Sequence, residues 1–229
     1  LIETPEGNWY FMSFEWTYPS CPLPVLAPIT WGSDDFPVFE AINGDWGETY
    51  AAPLPIQTTP SWIGTDYFSG TSLAVDWEWN HNPDTTKYTV NDGLTLSTAT
   101  VTTDLYHARN TLTHRVYGPL STATILLDTN NVADGDSCGL AAFHDWSAYI
   151  GISRNGSTYK ISNVQSLIKN ATDSWATETD GTVFASATIA VGRVWLRGIM
   201  QAAAVSAHTH GLSIALMASR FYRLELLIS

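Results

Sequence analysis

The chain has 229 residues, of which 45% are hydrophobic and 12% aromatic, with ten Trp and ten Tyr, and only 14% are charged. Ten Lys and Arg against 22 Asp and Glu leave a formal net charge of −12, which excludes the basic footprint that nucleic acids and anionic membrane surfaces require. The length suits one large all-β domain, or one domain with part of another, and no apolar run is long enough to span a bilayer as a helix.

Residues 1–16 read as a hairpin: LIET, the turn Pro5-Glu6-Gly7-Asn8, then WYFMSFEW. A proline-punctuated stretch, YPSCPLPVLAPITW, follows, then Gly32-Ser33-Asp34-Asp35 and the short strand FPVF. Asn43 to Pro60 is rich in turn residues, has three prolines and shows no periodicity. That is linker composition, and it places a domain boundary between residues 55 and 56. From residue 62 onward, many short β segments separated by turns predict an antiparallel sandwich.

Its organising stretch is Ser72–Asn82, SLAVDWEWNHN. Read with a period of two, Leu73, Val75, Trp77 and Trp79 share one face, and Ala74, Asp76, Glu78 and Asn80 the other. The expectation is a half-buried strand that ends at Asn82-Pro83-Asp84, where proline stops pairing. Asn91-Asp92-Gly93 and Asn155-Gly156 predict hairpin turns. From Ile199 the chain is rich in Ala and Leu and favours helix or buried strand, against the pattern before it. Cys21 and Cys138 are too few for a disulfide framework and read as two buried free thiols.

Taken in order, WEWNHNPD, GLTLST, LYHARNTLTHRVYGP, DGDSCGLAAFHD and YIGISRNG resemble the C-terminal concanavalin A-like domain of glycoside hydrolase family 43. Those enzymes are β-xylosidases and α-arabinofuranosidases acting on hemicellulose. LIETPEGNWYFMSF, PVLAPITW and Trp46-Gly47 resemble the end of the family's five-bladed propeller. The resemblance implies an all-β chain: a two-sheet antiparallel sandwich of the concanavalin A-like jelly-roll type over 56–229, behind a propeller-blade remnant over 1–55. Residues 199–229 depart from the family and read as a divergent tail, expected to be a frameshifted family sequence. The family's catalytic Asp base, Glu acid and pKa-tuning Asp fall on earlier blades, so no catalytic residue carries over to a position here. In the family this domain packs against the propeller and helps shape the substrate pocket, and that face is the expected route to a homo-oligomer.

Glycoside hydrolysis needs two carboxyls about 5–10 Å apart across a cleft. Asp76 and Glu78, two apart on one strand face, would lie about 6–7 Å apart, but on a single strand with no opposing wall; solvated or sugar-contacting residues are the expectation. Asp134-Gly135-Asp136, with Asp128 upstream, supplies hard oxygen ligands for Ca²⁺ but lacks a full ligand ladder. No cofactor is expected, with Ca²⁺ the alternative. Sugar sites combine ring stacking with planar hydrogen-bonding groups, which points to Asn80, Asn82, Arg109, Asn110, Arg115 and Trp146 as ligand-binding residues. The sequons at Asn155 and Asn170 predict glycosylation and fit a secreted protein; the chain opens directly on LIETPEGNWYFMSF, so a leader is expected to have been cleaved or the chain to be a fragment. The reading is a non-catalytic, lectin-like carbohydrate-binding sandwich. The alternatives are a glycoside hydrolase acting as part of a longer chain and a structural docking module without a ligand.

Overall fold

The computed structural model describes residues 1–17, 21–61, 63–116, 120–201, 213–219 and 227–228. The chain divides into two units, Leu1–Ser61 and Trp62–Ser229.

The first unit is one antiparallel sheet of four strands in sequence order: β1 (Ile2–Glu3), β2 (Trp9–Thr17), β3 (Cys21–Trp31) and β4 (Pro37–Phe39). The proline-punctuated stretch is thus an 11-residue strand, and backbone direction explains how. The Pro28 carbonyl accepts from the Glu40 N–H at 3.1 Å, on the β4 side. Even-numbered β3 residues therefore turn their N–H positions away from β2, and Pro22, Pro24 and Pro28 remove no bond from the β2–β3 ladder. β4 pairs with Ile29–Trp31, so among the described residues Pro22 and Pro24 sit where β3 has a neighbour on one side only.

The stretch from Asn43 is better anchored than its composition suggests. Trp46 packs against Phe11 and Phe39, with ring centroids 6.0 and 4.6 Å away. The Tyr50 hydroxyl donates to the Glu40 carbonyl and accepts from the Gly47 N–H, each at 2.7 Å. A Cβ at Gly47 would lie 2.5 Å from Ile42 Cδ1 and 2.9 Å from Tyr50 Cζ, so any larger residue would have to push these side chains aside.

In the second unit, β5 covers only Trp77–Trp79. Residues 75–76 form a turn and Val75 is 94% exposed, which corrects the expected strand over Ser72–Asn82. Alternating hydrophobicity continued through residues that fold as a turn, and among the described residues no strand pairs with them. β6 (Tyr88–Val90) and β7 (Leu94–Leu96) form the hairpin at Asn91-Asp92-Gly93, with Asp92 at φ 47 and Gly93 at φ 147. A 3-10 turn over Leu105–His107 precedes β8 (Leu112–His114), which pairs with β5.

The sandwich follows: β9 (Leu120–Asp128), β10 (Ser137–Ala142), β11 (Trp146–Asn155), β12 (Thr158–Asn170), β13 (Ala176–Ile189), β14 (Arg193–Gln201), β15 (Ser213–Ser219) and β16 (Leu227–Ile228). One sheet runs β10-β11-β12-β13 and the other β15-β14-β9-β16. Between them lies a core of Ile150, Ile152, Tyr159, Ile161 and Leu196, flanked by Ile125, Leu127, Leu140, Ile189 and Val194. Even-numbered residues of β11 thus face inward and odd-numbered ones outward.

A bulge reorders the outward face. Tyr149 pairs with Val164 and Ser147 with Leu167, so two β12 residues oppose the single Ala148. Ser166, in that bulge, has φ 62. The extra residue changes the parity of β12 and brings Val164 and Leu167 to the same side. There they form a second buried cluster with Tyr106, flanked by Leu105, Phe143 and Tyr149.

Candidate functional site

Residues 104–111 organise the outward face. Asp104 caps the 3-10 turn, its Oδ1 accepting from the Tyr106 N–H at 2.8 Å. Tyr106 is 3% exposed and lies against Phe143, with centroids 5.6 Å apart, while Lys169 Nζ sits 4.7 Å from its ring centre. Its hydroxyl donates to the Asp145 carbonyl at 3.2 Å, and burial pushes its pKa above that of an ordinary phenol. Tyr106 fastens this segment to the sheet, and the rest of the surface is built from it.

On one side the segment locks the Asn82-Pro83-Asp84 turn. Arg109 Nε donates to the Asn82 carbonyl at 2.8 Å and Nη2 to the Pro83 carbonyl at 3.3 Å. Asn110, at φ 62 and 6% exposed, accepts from the Asp84 N–H at 2.8 Å through Oδ1 and donates to the Asp84 carbonyl at 3.0 Å through Nδ2. His81 Nε2 donates to the Tyr106 carbonyl at 2.8 Å, and the Asn80 N–H to the Thr111 carbonyl at 3.0 Å. Four residues expected at a ligand site, Asn80, Asn82, Arg109 and Asn110, are therefore brought to one turn. Asn110 is placed there as a buried clamp on the backbone. Asn80 Nδ2 is enclosed, with no acceptor among the described residues.

Arg115 lies at the other end of β8, where its Nη2 is 3.5 Å from Glu78 Oε1, both side chains being more than half exposed. Asp76 belongs to the turn before β5, so it does not share a strand face with Glu78. Its Oδ2 is 3.4 Å from Nε2 of the nearly buried His114. His114 packs edge-on against Trp77 at 5.1 Å, and Trp77 Nε1 donates to Asp66 at 2.7 Å. Trp77 and Trp79 are half-buried in this local layer, outside both clusters of buried residues. Trp146 opens β11 at 41% exposure, next to the His144–Asp145 contact.

The three acids considered for Ca²⁺ do not converge. Asp128 Oδ1 accepts from the Asn130 N–H and Nδ2, Asp134 Oδ1 from the Gly156 N–H at 2.6 Å, and Asp136 Oδ1 from Thr98 Oγ1 at 2.8 Å. Among the described residues no group of three or more His, Cys, Asp or Glu is placed to hold a metal ion. Cys138 is free and half-buried, and burial, with Asp136 nearby, pushes its thiol up to about 11; the Cys21 side chain lies outside the described residues. Of the two sequons, Asn155 ends β11 on an exposed hairpin, while Asn170 Oδ1 accepts from Thr172 N–H at 3.0 Å and Oγ1 at 2.7 Å.

On its other side, the same segment walls an open cleft of about 460 Å³ lined by Asp104, His107 and Ala176–Asp180. Asp104 Oδ2 accepts from Thr177 Oγ1 at 2.6 Å and from His107 Nδ1 at 2.5 Å. Burial works to raise the Asp104 pKa, but the bonds from Thr177, His107 and the Tyr106 N–H outweigh it and hold the carboxyl below its usual range. Thr179 Oγ1 accepts from the Gly181 N–H at 3.0 Å, which leaves its own O–H as a donor. Sequence reasoning missed this cleft because its walls lie 73 residues apart. The available signal was the unbroken polar run Thr177-Glu178-Thr179-Asp180 inside a strand.

Two facing antiparallel sheets, with a loop-built polar layer on the outward side of one, define a concanavalin A-like β-sandwich. Residues 65–213 match the family model of the β-xylosidase C-terminal concanavalin A-like domain, and the chain belongs to that family. A protein of Xylanibacter ruminicola assigned as a β-xylosidase is 33% identical over 134 residues, covering 54% of this chain and 25% of that protein. A β-xylosidase of Formosa agariphila is 29% identical over 101 residues, covering 40% of this chain and 17% of that one. Among solved structures, a family 43 glycoside hydrolase engineered at its active site to display both endo-xylanase and exo-arabinofuranosidase activity superposes with a TM-score of 0.87 at 35% identity. That match covers 98% of this chain and 45% of the enzyme. The chain thus spans less than half the length of each of these relatives.

Proposed function

We propose that the sandwich is a non-catalytic carbohydrate-contacting module of a family 43 glycoside hydrolase, recognising glycans that contain xylose or arabinose. The observation that carries this reading is the segment 104–111, which rigidifies the Asn82 turn on one side and walls the cleft on the other. Polar groups held in place by such a scaffold bind a sugar with little ordering cost. A cleft of about 460 Å³ is within the usual range for small-ligand sites. The carboxylates of Glu178 and Asp180 and the Thr179 hydroxyl supply acceptors and a donor for sugar hydroxyls. The contact of Asp76 with His114 and of Glu78 with Arg115 favours structural tasks for the pair first weighed as catalytic acids. A second reading, hydrolysis by a longer chain of which this is part, is favoured by the 45% coverage of the solved enzyme.

Titration calorimetry with xylose, arabinose and xylo-oligosaccharides, with released sugar assayed in the same mixtures, tests the proposal. Binding heat without release is expected, reduced about tenfold or more in affinity by Glu178→Gln with Asp180→Asn. Release of sugar would overturn the non-catalytic reading. Absence of heat and of release would make the sandwich a docking module.

A further inference from the structure

We propose that Trp175 is the stacking platform of this site, taking the apolar face of one pentose ring while the cleft beside it holds the next, so that the ligand is a chain of at least two sugars. The inference rests on the carbohydrate reading and adds to it an aromatic group that the cleft lining lacks. β12 and β13 are joined by a turn over residues 171–175, in which Ser174 and Trp175 stand at φ 51 and φ 61. The left-handed region is costly for any residue with a Cβ, and a bulky side chain there is an outlier. Glycine would make the same turn without strain. Such strain persists only where surrounding bonds impose it, and it gathers at ligand sites. Asn170 imposes it here. Its carbonyl accepts from the N–H of Asp173 at 3.1 Å and of Trp175 at 2.9 Å, while its Oδ1 accepts from Thr172 N–H at 3.0 Å and Oγ1 at 2.7 Å.

Packing does not account for the indole. It is 53% exposed and lies outside both buried clusters. Among the described residues it makes no hydrogen bond or ring contact, the bond of Trp175 to Asn170 being made by the backbone. A rigid indole suits a surface that is part apolar and part wet, and the C–H face of a pentopyranose is such a surface. Position selects the sugar as occupant. Trp175 directly precedes Ala176, the first β13 residue of the cleft. The β13 wall, Ala176–Asp180, is about 13 Å long at the strand rise, longer than one pentose ring. Thr177, Glu178, Thr179 and Asp180 give that wall its polar groups. A polar wall with an aromatic at its end combines the two kinds of group that small-ligand sites use, and neighbouring rings of one glycan chain take one each.

Titration calorimetry with xylose, xylobiose and xylotriose reads the platform as a chain-length series. For the native chain, affinity is expected to rise about tenfold or more from xylose to xylobiose. Trp175→Ala should abolish that rise, and Trp175→Phe, which keeps a ring, should restore most of it. Glu178→Gln with Asp180→Asn should instead weaken every member of the series and keep the rise. Trp175→Gly suits the left-handed backbone, so it should lose the rise without lowering the urea midpoint; an indole that served only the fold would do the reverse. A native series without a rise, or a rise that survives Trp175→Ala, overturns the platform and leaves the carbohydrate reading standing. Silence toward all three sugars overturns both.

Discussion

The two faces of the β10–β13 sheet are closed by different physics. Inward, Ile150, Ile152 and Ile161 meet Leu196 from the opposite sheet, and strands supply both walls. Outward, Val164, Leu167 and Tyr149 are covered by an irregular segment whose buried anchor is Tyr106. Apolar packing is non-directional and tolerates small shifts. The outward layer instead depends on bonds with fixed geometry from Arg109, Asn110, His81 and Asp104. A surface meant to hold polar groups at set positions needs that directional scaffold, and the sheet beneath it supplies the rigid base.

The sharpest way to break this comparison is to delete volume on each face. Ile152 and Leu196 are fully buried, and truncation of either to alanine is expected to cost about 2–5 kcal/mol in urea denaturation. Tyr106→Ala should approach about 3–5 kcal/mol, because its ring fills the outward cluster. Tyr106→Phe, which keeps the ring and loses the hydroxyl's bond to the Asp145 carbonyl and its contact with the Ser147 side chain, should cost about 0.5–1.5 kcal/mol. If Tyr106→Phe proved as damaging as Tyr106→Ala, the outward face would be held by the hydroxyl and not by packing.

Asn110 isolates the directional part of the scaffold. Asn110→Ala removes both bonds to Asp84 and places a residue with a Cβ and no amide at φ 62. The expected loss is about 2–3 kcal/mol by denaturation. Asn110→Gly tolerates the backbone conformation and should recover roughly 1 kcal/mol of it. Equal losses in the two variants would mean that the left-handed backbone contributes nothing and the amide everything.

What the sequence made legible was local. The Asn91-Asp92-Gly93 and Asn155-Gly156 hairpins follow from turn chemistry within a few residues, and both strand pairs form. The all-β character and the two-sheet sandwich follow from the density of short strands and turns. Legibility stopped where the deciding partner is distant. Asn110 reads from sequence as a ligand-binding amide, while in the fold Asp84, 26 residues away, takes both ends of it. The cleft stays hidden because Asp104 and Thr177 meet only after β8 to β12 have been laid down between them. Pro22, Pro24 and Pro28 look like strand breakers because their tolerance depends on which neighbour their missing N–H groups would have faced.

The smallest expected effect tests the capping end of the outward layer. Asp104 is held below the usual carboxylate pKa by bonds from Thr177, His107 and the Tyr106 N–H, which prevail over its partial burial. A carboxyl depressed in the folded state adds stability above its unfolded value, near pH 4, and loses it as pH falls through the lower folded value. The stability difference between the native chain and Asp104→Asn should therefore stay level from about pH 7 to pH 5 and shrink below about pH 4. Urea denaturation of both proteins across that range measures it. No inward-facing truncation should show such a dependence, since Ile152 and Leu196 touch no titrating group in that window. A difference that stayed constant into acid would mean that Asp104 acts through shape alone, and the outward face would then be closed by the same physics as the inward one.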